Sequence, residues 1–192
     1  MRCAVLVAAL GAAFLLEGVA AADGRRLCLR DAHTGVELHL QPFGRGGVPR
    51  PVPWARANHF LRDKRTRERR PVNPRLLRIL AQLQRHFRVR CIEVYSTYRA
   101  PAAGAPLENY HQVGRAADIR IPGVADRDAF EYCRRTLGHV GCGLYPFAIG
   151  IHVDVRSTAA IWVQVGGDAA RPVYAENPGA WLDAHPGAAR GR

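Results

Sequence analysis

Ile151-His152-Val153-Asp154-Val155-Arg156 alternates apolar and polar residues without a break, and Asp118-Ile119-Arg120-Ile121 alternates in the same way. A period of two is the signature of a strand that turns one face to a core. Asp118 then points to one side of its strand, and His152, Asp154 and Arg156 line the polar side of theirs. If those two polar sides share a cleft, imidazole and carboxylate groups converge there.

The segments around this pair read as an α+β fold, an antiparallel sheet with flanking helices in a single domain. Leu27 to Arg30 and Gly35 to Leu40 flank the turn residues Asp31 to Thr34, which predicts a hairpin. Pro42 to Pro53 breaks regular structure, and Trp54 to Arg62 follows as a helix. Asn73 is an N-cap with Pro74 in the first helical position, and Leu76, Leu80, Leu83 and Phe87 then share one face at helical spacing. Cys91 to Tyr95 reads as a strand. Asp126 caps a further helix, with Phe130, Cys133 and Leu137 on one stripe and Gly138 as its stop.

The chain has 192 residues with 28 Lys+Arg against 16 Asp+Glu. Its 48% hydrophobic and 23% charged residues are globular averages, which exclude a disordered or collagen-like chain. Residues 1–22 read as a secretory signal peptide: Arg2 is the positive lead, Cys3 to Leu16 is almost continuously apolar, and Val19 to Ala22 offer small residues for cleavage. An uncleaved anchor is the other reading of that run. No second hydrophobic stretch follows, so the mature chain is expected to carry no transmembrane segment and to be exported to the periplasm or secreted. The remaining divisions are an N-terminal hairpin and proline-rich lead-in over 23–57, a main domain over 58–175 and a C-terminal tail over 176–192.

After signal removal four cysteines remain, Cys28, Cys91, Cys133 and Cys142. In an oxidising compartment they predict two disulfides, with three pairings open. The positive charge is nearly all arginine, densest from Arg62 to Arg70 (RDKRTRERR). Such a run either attracts a polyanion, such as an anionic envelope polymer, or is a solvated helix end and loop. Export argues against a nucleic-acid partner.

His111 lies seven residues before Asp118, with Gly114 between them to let the chain turn closely. His111, Asp118 and His152 make a set of two imidazoles and one carboxylate. That set suits zinc, and three protein ligands leave a fourth position for water, as in catalytic sites. Solvated histidines are the alternative from spacing alone.

Asn109 to Asp118 (NYHQVGRAAD) resembles the S-x-H-x-x-G-x-A-x-D motif of the zinc D-alanyl-D-alanine peptidases of the hedgehog/DD-peptidase superfamily, and Ser96 to Pro101 (STYRAP) resembles their S-x-Y-R-x-P segment. Gly143-Leu144-Tyr145-Pro146, then Ile151 to Asp154, is similar to the G-x-Y-P and H-x-D elements of the YcbK-like murein endopeptidase branch. Asn58 to Asp63 and Pro74 to Leu77 also look like that branch, so the similarity spans roughly residues 27 to 165.

The resemblance implies a hedgehog/DD-peptidase-like fold, zinc held by His111, Asp118 and His152, and peptidoglycan as substrate, cut by an enzyme of the D,D-endopeptidase or carboxypeptidase type, with the bond itself, D,D, L,D or a direct crosslink, left open by the sequence. Arg99 matches the family arginine that binds the scissile carbonyl oxygen or a substrate carboxylate. Ser96, Tyr98 and Tyr145 are expected to line the substrate groove. Asp154 is either the general base or a group that orients a ligand histidine. Several relatives carry a glutamate three residues before the last histidine, where this chain has Ile149. That departure keeps open a non-catalytic, zinc-containing wall-binding module of the same fold.

Overall fold

The computed structural model describes residues 26–102, 104, 109–148, 150–167 and 171–188. The predicted signal peptide, Ile149 and part of the loop before Asn109 lie outside the described residues. Eight strands form one sheet: β1 (Leu27–Asp31), β2 (Glu37–Leu40), β3 (Ile92–Ser96), β4 (Ala116–Arg120), β5 (Val140–Leu144), β6 (Ile151–Val155), β7 (Ala160–Gly167) and β8 (Pro172–Tyr174). Their order is β2-β1-β3-β4-β6-β5-β7-β8. The α-helices are α1 (Pro51–Phe60), α2 (Pro74–His86), α3 (Asp126–Thr136) and α4 (Pro178–Ala184). No described helix is long and apolar enough to cross a membrane.

The sheet is mixed rather than antiparallel. β1 runs parallel to β3 and β5 parallel to β7, while the other neighbours are antiparallel. The reason is connectivity. β1 and β3 are joined by a long crossover through β2, α1 and α2, and such connections bring a strand back in the same direction.

α2 and α3 cover one face of the sheet. α2 buries Leu76, Leu77, Ile79, Leu80 and Leu83, and α3 buries Ala129, Phe130 and Cys133. They meet Leu27, Leu29, Ile92, Val94, Ala117, Ile119, Ile151 and Val153 in one hydrophobic core. Asn73 caps α2 as its sequence predicts, its side chain accepting from the Arg75 amide at 2.9 Å. Two boundaries differ from expectation. α1 starts at Pro51, because prolines in a first helical turn forfeit no hydrogen bond. The cap of α3 is Ala125; Asp126 is already helical, buried, and bonded to the Arg120 guanidinium at 3.2 Å.

Two disulfides resolve the pairing, Cys28–Cys91 and Cys133–Cys142. The first ties β1 to the start of β3. The second ties α3 to β5, which pairs along β6.

Candidate metal centre

β4 and β6 are antiparallel neighbours, with Asp118 directly opposite His152 and Ala116 opposite Asp154. Their even-numbered residues share the sheet face away from α2 and α3. His111 reaches the same face from a single 3-10 turn, Tyr110–Val113. Asn109 caps that turn: its side chain accepts from the Gln112 amide while the Gln112 side chain accepts from the Asn109 amide. Asparagine is among the residues favoured at such a cap. Gly114 ends the turn with φ 68°, and a Cβ there would lie 2.6 Å from the Pro71 carbonyl oxygen. Only glycine fits both the backbone and the gap.

The three side chains converge. His152 Nδ1 is 2.9 Å from Asp118 Oδ1, His111 Nε2 is 3.2 Å from His152 Nδ1, and His111 Nε2 is 3.4 Å from Asp118 Oδ1. All three residues are buried. On their outer sides both rings are held by acceptors: His111 Nδ1 by the Thr97 carbonyl at 2.6 Å, and His152 Nε2 by Asp154 Oδ2 at 3.0 Å. A carbonyl and a carboxylate can only accept here, so each outer nitrogen carries its proton. In the neutral rings the inner nitrogens are then lone pairs, facing each other and a carboxylate.

Lone pairs gathered in this way need a cation between them. The residues fit zinc in kind, and they fit it in size: a tetrahedron with metal–ligand bonds of about 2.0–2.1 Å has an edge of about 3.3–3.4 Å. Without a metal, the same carboxylates draw a proton into its place. Burial acts to raise the Asp118 carboxyl, but the hydrogen bonds with His111 and His152 outweigh it and hold the group far below the usual carboxylate range. Burial likewise opposes a charged His152, yet its bonds to Asp118 and Asp154 prevail and raise its pKa.

Asp154 lies on the far side of the His152 ring from this cluster. It is fully buried, and Arg156 grips both its oxygens, with Nε donating to Oδ1 at 2.7 Å and Nη2 donating to Oδ2. The Gly141 amide donates to Oδ1 at 3.2 Å. Burial raises the Asp154 carboxyl, and the Arg156 and His152 bonds bring it down to about 2. The Arg156 guanidinium itself stacks over Tyr110 at 4.7 Å and Trp162 at 5.4 Å.

Arg99 borders the cluster from the solvent side, with Nη2 donating to Asp118 Oδ2 and Nε donating to Ser96 Oγ at 2.8 Å. Tyr98 is buried beside it. Tyr145 is partly buried, and its hydroxyl is bonded to Trp162; burial first, then the nearby Asp118 charge, raise its pKa. His111, Asp118, His152, Asp154, Arg99, Ser96 and Tyr145 are therefore in one region, while Tyr98 follows Thr97 in the chain with its amide donating to the Leu61 carbonyl.

Several contributors escaped the sequence. Thr97 matters through its carbonyl, which no side-chain pattern reports. Asp63 anchors the Thr97–Ala100 segment, accepting from the Ala100 amide at 2.7 Å, while Thr97 Oγ1 donates to the Leu61 carbonyl at 2.7 Å. Arg156 was visible as a polar-face residue without a role. A second group, Cys28, Glu37, His39 and Cys91, has metal-ligand types close together, but its two sulfurs are joined in a disulfide and offer no thiolate.

The profile of the family described as peptidoglycan L,D-endopeptidase MepK matches residues 19–162, a stretch that contains every residue of the centre. Peptidoglycan L,D-endopeptidase MepK of Escherichia coli (strain K12) is 29% identical over 141 residues, covering 68% of this chain and 76% of that protein. The probable peptidoglycan L,D-endopeptidase MepK of Haemophilus influenzae is also 29% identical over 141 residues, covering 68% and 75%. No solved structure matches the chain. Both relatives are L,D-endopeptidases by name, which corrects the D,D type expected from the motifs. Those motifs describe a ligand triad and its supports, and the triad does not read the bond.

Proposed function

The chain belongs to the peptidoglycan L,D-endopeptidase MepK family, within the YcbK-like branch of the zinc D-Ala-D-Ala carboxypeptidase/hedgehog-type superfamily, and from that premise we propose that it is an exported zinc peptidase cutting an L,D amide bond in peptidoglycan peptides. The observation that carries the zinc reading is the pair of inward lone pairs on His111 and His152 beside Asp118. The hedgehog/DD-peptidase fold, a signal peptide over residues 1–22, and the periplasm or medium as destination are parts of the same reading.

A zinc ion held by His111, Asp118 and His152 would supply Lewis acidity and activate water near neutral pH. The protein's own residues do the rest. The Thr97 carbonyl fixes the proton of His111 on Nδ1, and Asp154 fixes that of His152 on Nε2, so both rings present the correct nitrogen. Arg99, half-exposed at the mouth, still has donors for a substrate carbonyl or carboxylate. Ser96 steadies its guanidinium, and Tyr98 and Tyr145 flank the approach. Of the two roles open to Asp154, its place supports orientation over proton transfer: it is walled off behind His152, and both its oxygens are engaged.

The test is metal content of the purified mature chain, followed by digestion of muropeptide dimers joined through an L,D or a D,D bond. About one zinc per chain and product from the L,D dimer alone support the proposal, with both lost in His111→Ala. Product from the D,D dimer alone would overturn the bond assignment. Zinc bound without any product would support the wall-binding module, for which Ile149 in place of the glutamate of several relatives is the argument. Anionic envelope polymers stand beside peptidoglycan as partners in this reading.

A further inference from the structure

Six arginines that are scattered in sequence meet around one cleft of about 1040 Å³: Arg26, Arg50, Arg56, Arg85, Arg88 and Arg90. They come from the lead-in to β1, the start and middle of α1, the end of α2 and the lead-in to β3. The floor is apolar, with Leu27, Leu40, Pro53 and Val89, and among the described residues no aspartate or glutamate lines the cleft. We propose that this cleft is a binding site for an anion bearing several phosphate groups, separate from the metal centre and independent of the peptidase reading.

The gathering of guanidinium groups in one concave place carries the argument. Elsewhere several arginines are matched to acids, Arg30 to Glu93, Arg120 to Asp126, Arg134 and Arg135 to Glu131 and Arg156 to Asp154, and Arg75, Arg78 and Arg127 bond backbone carbonyls. In the cleft Arg90 has such a partner, Glu37 at 2.7 Å. The side chains of Arg26, Arg50, Arg56 and Arg88 have no hydrogen bond or ion pair among the described residues, and all four are exposed. Like charges around a concave, low-dielectric wall repel one another and focus a positive potential into it, so the arrangement is unfavourable until an anion enters.

Arg88 adds a second observation. It sits just past the end of α2 with φ 53°, the left-handed position at which a helix ordinarily ends in glycine or asparagine. A guanidinium is held there against backbone preference, and strain of this kind gathers at ligand sites. The C-terminal carbonyls of α2 favour a nearby cation and account for Arg85. They do not account for Arg26, Arg50 and Arg56, which arrive from other segments.

Guanidinium forks match phosphate and carboxylate oxygens two at a time. Six of them around one cleft call for several charges in a small volume. Phosphates bring up to two charges on one centre, whereas peptide carboxylates bring one charge each, a residue or more apart. The apolar floor would take the sugar or aliphatic scaffold that carries the phosphates. β3 runs from this cleft to the metal centre, from Cys91 at one end to Ser96 at the other, roughly 15 Å. A chain held here by a phosphate-bearing envelope component keeps its metal centre clear. The Arg62–Arg70 run is a different surface, where Arg62 is bonded to the His59 carbonyl and Lys64 is paired with Asp31.

The experiment is calorimetric titration of the full mature protein at low ionic strength with inorganic tripolyphosphate, and co-sedimentation with zwitterionic vesicles carrying a bisphosphorylated lipid. Wild type is expected to bind at least one probe, and which one it binds distinguishes a free phosphate ligand from a lipid headgroup. Arg50→Gln/Arg56→Gln/Arg88→Asn should bind about tenfold more weakly or worse, since each lost charge-assisted bond is substantial, and should melt no lower than wild type. Arg26→Gln/Arg56→Gln is a second variant for the same reading. Arg65→Gln/Arg69→Gln/Arg70→Gln removes the same charge elsewhere and should bind as wild type. No binding of either probe, equal weakening in that control, or competition by muropeptides but not by phosphates would overturn the proposal.

Discussion

His111 Nε2 and His152 Nδ1 face each other at 3.2 Å although each ring donates its proton on the opposite side, to Thr97 and to Asp154. Two acceptors turned toward each other beside the Asp118 carboxylate form a site defined by its supports as much as by its ligands. The grip of those supports is therefore measurable apart from turnover.

Asp154→Asn tests the grip. Asparagine offers one acceptor where His152 and Arg156 together use two oxygens, so one of those contacts is lost. Zinc affinity, read by competition with a chromophoric chelator, is expected to fall about 10- to 100-fold. Unchanged affinity with abolished turnover would instead mark Asp154 as the proton carrier.

Gly141 tests the space behind the same network. It lies opposite Asp154 in the β5/β6 register, and a Cβ there would fall 2.3 Å from Asp154 Oδ2 and 2.5 Å from Arg156 Nη2. Gly141→Ala is expected to cost about 1–3 kcal/mol in urea denaturation, the range for overpacking, and to weaken zinc binding with it. Gly138→Ala, with nothing within 4 Å of the new Cβ, is the control and should be close to neutral.

These two cases show what was legible in sequence and what was not. Asp118 and His152 were legible because a period of two fixes which side of a strand a residue takes, and Asn73-Pro74 announced α2 by local chemistry alone. β5 carried no such signal: Gly141 and Gly143 have little strand preference. Their value lies in leaving room, since a Cβ at Gly143 would meet the Trp162 ring at 2.4 Å. The Thr97 carbonyl, the parallel β1/β3 and β5/β7 pairs and the arginine cleft depend on which distant segments meet. The prolines of Pro42 to Pro53 misled for a local reason, because Pro51 and Pro53 begin a helix instead of preventing one.

The disulfides make a prediction about stability. Cys28–Cys91 closes a separation of 63 residues and Cys133–Cys142 one of 9. Loop-closure entropy assigns them about 4 and about 2.5 kcal/mol respectively. Cys28→Ser/Cys91→Ser should accordingly lower the unfolding free energy by about 4 kcal/mol. A loss below about 1 kcal/mol would show that the hairpin docks without its staple.

Asp31 predicts the acid limb of the stability curve from a place remote from the metal centre. It ends β1, and its Oδ1 accepts from the His33 amide at 3.0 Å and the Thr34 amide at 2.9 Å while Lys64 pairs with Oδ2. Burial alone would raise its pKa, but the Lys64 bond and those amides lower it from 3.8 to about 2. The folded value lies below the unfolded one, so the unfolded chain binds more protons through this window. The contribution to stability is present in full above about pH 4 and is lost as pH falls toward about 2. The shift corresponds to about 2 kcal/mol, and because the Lys64 side chain is 41% exposed, solvent screening reduces this to about 1–2 kcal/mol. Asp31→Asn keeps an oxygen for the two amides and removes the charge. It should therefore be less stable than wild type at pH 7 by that amount in urea titrations, with the gap closing between about pH 4 and pH 2. A gap independent of pH would assign the loss to packing of the turn, and the Lys64 pair would then contribute nothing measurable.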